Sequence, residues 1–123
     1  MNKEFIPYEQ ALELKELGFD EPCAAKYNKG SFQSNSLGTW IDYNDSTYGA
    51  SLISAPLYQQ AFRWFREKHQ LDYWVRAWWE FDRNIFIGYE ALIGKGEHCG
   101  TYQFYEDAEL ACLKKLIEIV KNK

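Results

Sequence analysis

Residues 72–93 decide the fold of this chain and read DYWVRAWWEFDRNIFIGYEALI. The segment predicts a β-hairpin, because both halves are rich in aromatic and β-branched residues and residues 82–84 supply a three-residue turn. With that turn, Phe81 faces Ile85, and side chains alternate between the two faces of the ribbon from there. Both faces then carry bulky apolar groups, so each of them needs a covering layer.

The predicted register gives the two faces of the hairpin different characters. The first face has the composition of a core: Tyr73, Val75, Ala77, Trp79, Ile85, Ile87, Tyr89, Ala91 and Ile93. The second face combines indoles with a cross-strand pair of opposite charges: Trp74, Arg76, Trp78, Glu80, Phe86, Gly88, Glu90 and Leu92. The pair is Arg76 and Glu90. A face of this kind suits either burial under a helix or a docking surface.

The large rings of the second face are costly to leave in water. Burial of one indole removes roughly 200 Å² from water, worth on the order of 5 kcal/mol as an upper bound at about 25 cal/mol per Å². Exposure of Trp74, Trp78 and Phe86 together would forgo an amount comparable to the stability of a domain. We therefore expect this face to be covered by the protein's own elements, by a second copy or by a partner.

Periodicity along the rest of the chain predicts an α+β fold. Helices are expected at 7–17, from Pro56 to about His69 and at 105–121, with a weak hairpin at 22–34, a strand at 37–43, an exposed loop at 44–51, a turn at 94–100 and a short strand at 101–104. The order is α-β-β-(loop)-α-β-β-(β)-α, and it predicts an antiparallel sheet of about four to five strands packed with three helices.

At 123 residues the chain fits a single globular domain, 1–123, in which 35–53 is a long loop or insertion. Long loops inside compact domains are often functional. This one carries three aromatic side chains that can fold over a bound molecule, namely Trp40, Tyr43 and Tyr48. They join the hairpin rings as candidate binding residues.

Composition argues against several classes of function. Fourteen Lys and Arg against eighteen Asp and Glu give a formal charge of −4, which opposes attraction to nucleic acid or anionic membranes. Cys23, Cys99 and Cys112 are odd in number and widely spaced, so they indicate neither a disulfide framework nor a zinc site. The sequence lacks a signal core and an apolar run of membrane-spanning length, so a cytoplasmic location is expected, with no membrane and no cofactor.

Residue patterns typical of catalysis or metal binding are weak. Asp42-x-Asn44-x-Ser46 resembles the start of a calcium loop, but Ile53 stands where the loop needs a bidentate Glu. His98 and Cys99 are adjacent in an extended segment and point to opposite faces, so they do not converge as ligands or as a nucleophile and its base. These patterns therefore assign no catalytic residues, and an enzyme is the third hypothesis, behind the two binding hypotheses.

Three blocks of sequence carry a family resemblance: 7–23, 55–69 and 105–113. Together they resemble a recurrent family of small uncharacterised proteins from phages and prophages of gut Bacteroidales. This resemblance implies a phage-borne accessory protein of the bacterial cytosol, and it brings no catalytic residues.

The helix, three strands, helix order of residues 56–121 is also similar to the double-stranded-RNA-binding domain. That family holds phosphate with lysines at the start of its last helix, where this chain has Glu106, Asp107 and Glu109, so RNA binding is not expected.

The leading hypothesis is a non-catalytic binding module, a phage accessory or counter-defence protein that engages a host protein through the second face and the 35–53 loop. Its anchors would be Trp40, Trp74, Trp78 and Phe86, with Arg76 and Glu90 fixing the orientation of the partner. A homodimer is a further possibility for the same surface. The alternative hypothesis is a protein that binds or sequesters a nucleotide-type ligand, in which rings stack on a base and Arg63, Arg66 or Arg76 meets phosphate.

Overall fold

The computed structural model describes residues 3–35, 38–94 and 96–123. These residues form three α-helices and two three-stranded antiparallel sheets. The helices are α1 (Tyr8–Glu16), α2 (Tyr58–His69) and α3 (Tyr105–Lys121). The strands are β1 (Ala25–Asn28), β2 (Ser31–Ser34), β3 (Leu52–Ser54), β4 (Tyr73–Glu80), β5 (Ile85–Ile93) and β6 (Glu97–Tyr102). The strand orders are β2-β1-β3 in one sheet and β4-β5-β6 in the other.

The predicted α+β class is confirmed, whereas the number and order of strands differ in detail. The described residues contain six strands in two sheets, where one sheet of four to five strands was expected. Strand β3 lies at the end of the 35–53 segment, which is predicted as a loop or insertion. The strand is missed because three residues are too few to show an alternation and because it forms by pairing with β1, which is distant in sequence. Strand β6 begins at Glu97, inside the predicted turn 94–100; Lys95 of that turn lies outside the described residues.

The chain divides into two compact units, Met1–Ala61 and Phe62–Lys123. In the first unit the side chains of α1 and of the β2-β1-β3 sheet share a core that includes Ile6, Leu14 and Phe19. The phenol of Tyr27 donates a buried hydrogen bond of 2.7 Å to the carbonyl of Ile6. The turn between β1 and β2 is made by Lys29 and Gly30, both with positive φ, as the predicted hairpin at 22–34 requires.

The predicted 37–43 strand is reduced to one bridge between Ile41 and Cys23; Ser36 and Leu37 lie outside the described residues. The following segment is held by side chains. Asn44 accepts a hydrogen bond from the backbone N–H of Ser54 at 3.0 Å and donates one to the carbonyl of Phe19 at 2.9 Å. The Asn44 carboxamide of the Asp42-x-Asn44-x-Ser46 segment therefore links two backbone segments of the first unit by hydrogen bonds.

In the second unit, α3 packs along the β4-β5-β6 sheet. The periodicity predicts an apolar stripe of Leu110, Leu113, Leu116, Ile117 and Val120. Leu113, Leu116 and Ile117 are buried, Leu110 and Val120 are partly exposed, and Ala108 and Cys112 are buried beside them. The ring of Phe62 stacks on that of Tyr73 with centroids 3.6 Å apart, so α2 also contributes to this core. Within the described ranges, none of the helices is both long and apolar enough to cross a bilayer.

Candidate interaction surface at the end of the hairpin

The pairing of β4 with β5 follows the predicted register over most of its length and then changes by one residue. It runs from Tyr73 opposite Ile93 to Trp78 opposite Gly88 and includes the predicted Arg76–Glu90 pair. The next pairs are Trp79 with Phe86 and Glu80 with Ile85. Ile87 is therefore the extra residue of a β-bulge. The prediction that Phe81 faces Ile85 is wrong, because Phe81 belongs to the turn.

The bulge moves Phe86 to the opposite face from the one predicted. Directly paired residues share a face of the sheet, so Phe86 lies with Trp79 on the first face and Ile85 lies with Glu80 on the second. The ring contacts agree: Phe86 is 5.5 Å from Trp79 and 5.2 Å from Tyr89 between ring centroids. The placement of Phe86 beside Trp74 and Trp78 is therefore corrected, and a single inserted residue is the reason.

The hairpin extends beyond its cover in the second unit. Strand β6 pairs with β5 only from Tyr89 to Ile93. Tyr105, the first residue of α3, packs its ring against Tyr89 at 5.4 Å. Beyond this point, residues 78–87 form a two-stranded ribbon, which we call the hairpin end. Its exposed large apolar side chains are Trp78, Trp79, Phe81, Ile85, Phe86 and Ile87.

The base of the same hairpin has the opposite character. Ala91, Leu92 and Ile93 are all buried, whereas Phe81 at the turn is 88% exposed. Both ends of the hairpin have a similar apolar composition, so composition does not explain the difference in side-chain exposure. Strands β4 and β5 extend beyond β6 and α3, so the base of the hairpin is covered and its other end is not. The exposed rings are therefore concentrated at one end of the hairpin, on both of its faces.

Three polar side chains, one from each strand of the sheet, contact one another on the second face. Arg76 Nε lies 2.6 Å from Glu90 Oε1, and His98 Nε2 lies 3.1 Å from Glu90 Oε2. Both carboxylate oxygens of Glu90 are thus engaged by neighbouring strands. The three side chains link β4, β5 and β6 on this face, and Arg76 lies between the exposed indoles of Trp74 and Trp78 along β4. The second face therefore has a polar centre with an aromatic ring on either side.

The turn of the hairpin is fixed by an ion pair of its own. Arg83 donates from Nε and Nη2 to the two carboxylate oxygens of Glu80, each at 2.7 Å. These hydrogen bonds lower the pKa of the Glu80 carboxyl, because they favour its charged form. Asn84 has a φ of 52° and donates its N–H to the carbonyl of Phe81 at 3.3 Å. Phe81 is therefore presented from an organised turn.

The candidate residues of the 35–53 segment belong to the first unit. Tyr43 is only 5% exposed; its hydroxyl donates to Asn35 Oδ1 at 2.9 Å, and its N–H donates to Ser54 Oγ. Its ring packs at 5.5 Å from the ring of Tyr48. Tyr43 thus anchors the segment, whereas Trp40, 52% exposed, and Tyr48 remain accessible. The structure brings Trp74, Arg76, Trp78 and Glu90 together in the second unit.

Four residues of the hairpin end were absent from the predicted site: Trp79, Phe81, Ile85 and Ile87. Alternation along the strands predicts three of them in a core and Phe81 beside the turn, as it would be if the first face were covered along its whole length. Two signals were available. The strand predicted after the hairpin was much shorter than the hairpin itself, and Gly88 inside an apolar strand is typical of a bulge or a close backbone approach.

Further ionisable side chains line a groove on the second unit. A groove of about 430 Å³ between β6 and α3 is lined by residues that include Cys99, Tyr102, Lys114 and Lys115. Burial raises the pKa of the Cys99 thiol, and Glu97 adds to this effect, so the thiolate is disfavoured there. Among the described residues, no three His, Cys, Asp or Glu side chains are grouped as metal ligands.

Comparison of the chain with protein-family models, with curated proteins and with solved structures finds no match. The functional assignment therefore depends on the geometry of the chain itself. The resemblances to phage and prophage proteins and to the double-stranded-RNA-binding domain stay expectations.

Proposed function

We propose that this protein is a non-catalytic binding module whose partner docks on the hairpin end. The observation that carries the proposal is the exposure of six large apolar side chains within residues 78–87. Large apolar side chains exposed in such numbers on one short segment are uncommon on monomeric proteins and usually mark an interaction site. Rings supply large contact areas, and aromatic anchors dominate the binding energy of protein interfaces.

The chemistry around the rings favours a protein as the partner. Charged side chains surround the apolar groups at the turn, including Glu80, Asp82 and Arg83, and Arg76 and Glu90 lie on the second face. An apolar centre with a polar rim is the arrangement of protein–protein interfaces. Together with the family resemblance, it supports a host protein of the bacterial cytosol as the partner and an accessory or counter-defence role for this chain.

The nucleotide alternative receives less support from the arginines. Arg76 is engaged by Glu90, and Arg66 Nη1 lies 3.6 Å from Asp72 Oδ1. A phosphate would have to compete with these carboxylates for the guanidinium groups. A thermal-shift screen with mononucleotides and cyclic dinucleotides decides between the two ligand classes. We expect no shift of Tm, and stabilisation by any nucleotide would favour the alternative.

Affinity capture from host lysate with matched variants tests the proposal. The first-face pair Trp79→Ser/Phe86→Ser and the second-face pair Trp74→Ala/Trp78→Ala are compared with the wild-type protein. A control pair, Trp40→Ser/Tyr48→Ser, removes exposed rings from the first unit. We expect at least one hairpin pair to lose the captured protein by about tenfold or more, since truncation of an aromatic anchor costs about 2 kcal/mol or more. The affinity is then measured with the purified partner.

The single variant Phe81→Ser keeps the test valid where a double variant fails to fold. Phe81 is almost fully exposed, so its removal leaves the core intact while it takes away the most accessible ring. Unchanged binding by folded Phe81→Ser and by both folded hairpin pairs would contradict the proposal. Loss of binding in the control pair alone would assign the surface to the 35–53 segment instead.

A further inference from the structure

Strand β4 is an edge of its sheet, because the order is β4-β5-β6. Gly94 donates its N–H to the carbonyl of Asp72 at 2.9 Å, which fixes the phase of the antiparallel ladder. Hydrogen-bonded pairs alternate along such a ladder, so residues 74, 76, 78 and 80 direct their backbone groups toward β5. Val75, Ala77 and Trp79 consequently direct their N–H and C=O groups away from the sheet, along an edge that no other described strand pairs with.

This edge differs from the other sheet edges of the described residues. Strand β6 is interrupted by a register shift, with Gly100 at a φ of 121°, and bulges protect edges from further pairing. Strand β2 has four mostly polar residues and β3 has three. Strand β4 is eight residues long and carries three tryptophans, and the extra residue of its pairing with β5, Ile87, lies on β5 and not on β4. Long regular edges with apolar side chains are templates for pairing with another strand.

We propose that β4 pairs antiparallel with β4 of a second copy of this chain, around a two-fold axis at Ala77. Residues whose backbone N–H and C=O groups point away from β5 must pair with the same kind of residue in the second copy. The two-fold axis must therefore pass through a residue and not between two residues, and near the middle of the strand that residue is 76, 77 or 78. An axis at Arg76 would set two arginines directly opposite each other, which is unfavourable. An axis at Trp78 would leave only residues 76–80 in the ladder.

The axis at Ala77 keeps residues 74–80 paired and makes the strand complementary to itself. Arg76 then lies opposite Trp78 of the second copy, where a guanidinium can rest on an indole. Glu80 of the second copy, which keeps its hydrogen bonds to Arg83, becomes a diagonal neighbour of Arg76 and places a negative charge near that guanidinium. The small side chain of Ala77 meets its own copy at the axis. Two three-stranded sheets thus become one sheet of six strands.

This inference goes beyond the proposed function, because it uses the edge of the hairpin rather than its faces. Edge pairing leaves Phe86 and Ile85 on their respective faces, available to a partner. It also places the second faces of two copies side by side, so that Trp74 and Trp78 of both chains form one longer aromatic surface. The second copy in this proposal therefore adds to the docking surface rather than occupying it.

Sedimentation of the full chain over a wide range of concentration tests the dimer. We expect the wild-type protein to reach twice the chain mass of 14.5 kDa. Ala77→Pro removes the N–H at the centre of the ladder, and an edge strand tolerates proline where that N–H faces outward. This variant is expected to sediment as a folded monomer, while the control Ala77→Ser remains a dimer. A monomeric wild type at every concentration, or a dimeric Ala77→Pro, would overturn the proposal.

A disulfide test decides the register and does not depend on how proline is tolerated. In a Cys99→Ser background, Ala77→Cys places two thiols opposite each other across the axis, at the Cα separation of about 5.5 Å that disulfides allow. Mild oxidation should link the two copies. The matched variant Thr101→Cys, on exposed β6, should link much more slowly, and equal rates for both would refute the register. Both readouts measure only the pairing of two copies, and capture by the hairpin end is measured in its own experiment, so the two proposals fail separately.

Discussion

Gly88 shows how one residue shapes the hairpin. A Cβ placed on Gly88 would lie 2.7 Å from the backbone oxygen of Tyr102, a distance that backbone atoms cannot relieve by rotating a side chain. Gly88 also adjoins the bulge at Ile87 and pairs with Trp78, the last pair in the original register. Its missing side chain lets the end of β6 approach β5 at the point where the bulge begins.

Substitution of Gly88 by Ala should therefore destabilise the second unit. We expect a loss of about 1–3 kcal/mol in the free energy of unfolding, the usual cost of forcing an atom into a closely packed site. Urea denaturation of Gly88→Ala measures it, with Thr101→Ala as the control because that side chain is exposed on the neighbouring strand. Equal stability of the two variants would show that β6 is not held close to Gly88.

Glu109 makes stability depend on pH. This side chain is buried on α3, and burial, with a contribution from Glu106, raises the pKa of its carboxyl to about 7. The ordinary value is 4.5, so between these values the folded chain binds more protons than the unfolded chain. Stability is therefore highest below the ordinary pKa, falls as pH rises through this window, and stays lower above it.

The variant Glu109→Gln removes that penalty. We expect it to raise Tm relative to the wild-type protein at about pH 8 and to leave Tm nearly unchanged at about pH 4, where the wild-type carboxyl is already neutral. Thermal melts at both pH values test this, with the exposed Glu67 changed to Gln as the control. A variant with the same benefit at both pH values would show that the effect is not the titration of Glu109.

At the scale of the elements, sequence periodicity predicted what local pattern determines. Helix α3 was predicted at its observed ends, because acidic residues begin it, lysines lie near its end and an apolar stripe connects them. The Arg76–Glu90 pairing followed from alternation. The bulge at Ile87 did not follow from alternation, because one extra residue in a strand alters neither the composition nor the strand propensity of the segment. Strand β3 depends on the non-local contact between Tyr27 and Ile53, which no local pattern contains.

The hairpin should also differ in stability along its length. Ile93 is buried at the base and Phe81 is exposed at the turn, although both are large apolar residues. We expect Ile93→Ala to cost about 2–5 kcal/mol, as for other buried aliphatic truncations, and Phe81→Ser to cost less than about 0.5 kcal/mol, as for surface substitutions. Chemical denaturation of both variants provides the comparison. Similar losses would mean that Phe81 is part of a core.

At the scale of the whole molecule, the candidate site could be predicted only in part. Trp74, Arg76, Trp78 and Glu90 lie together as alternation predicts. The first face was predicted as core along its whole length, so Trp79 was missed as a surface residue. Where a covering layer ends is decided by the lengths and packing of separate elements, which no single stretch of sequence encodes. The covering layer reaches Ala91, Leu92 and Ile93 at the hairpin base, whereas Trp74 and the rings of the hairpin end stay exposed.

Oxidative footprinting of the captured complex tests the hairpin end most directly. The protein is labelled free and while bound to its captured partner, and oxidation is read at Phe81 and Phe86, with Trp40 in the first unit as the internal control. We predict that oxidation of Phe81 and Phe86 falls severalfold on binding while that of Trp40 is unchanged, because burial excludes solvent from interface anchors. Equal oxidation of Phe81 and Phe86 in the free and bound protein would contradict a partner seated on the hairpin end.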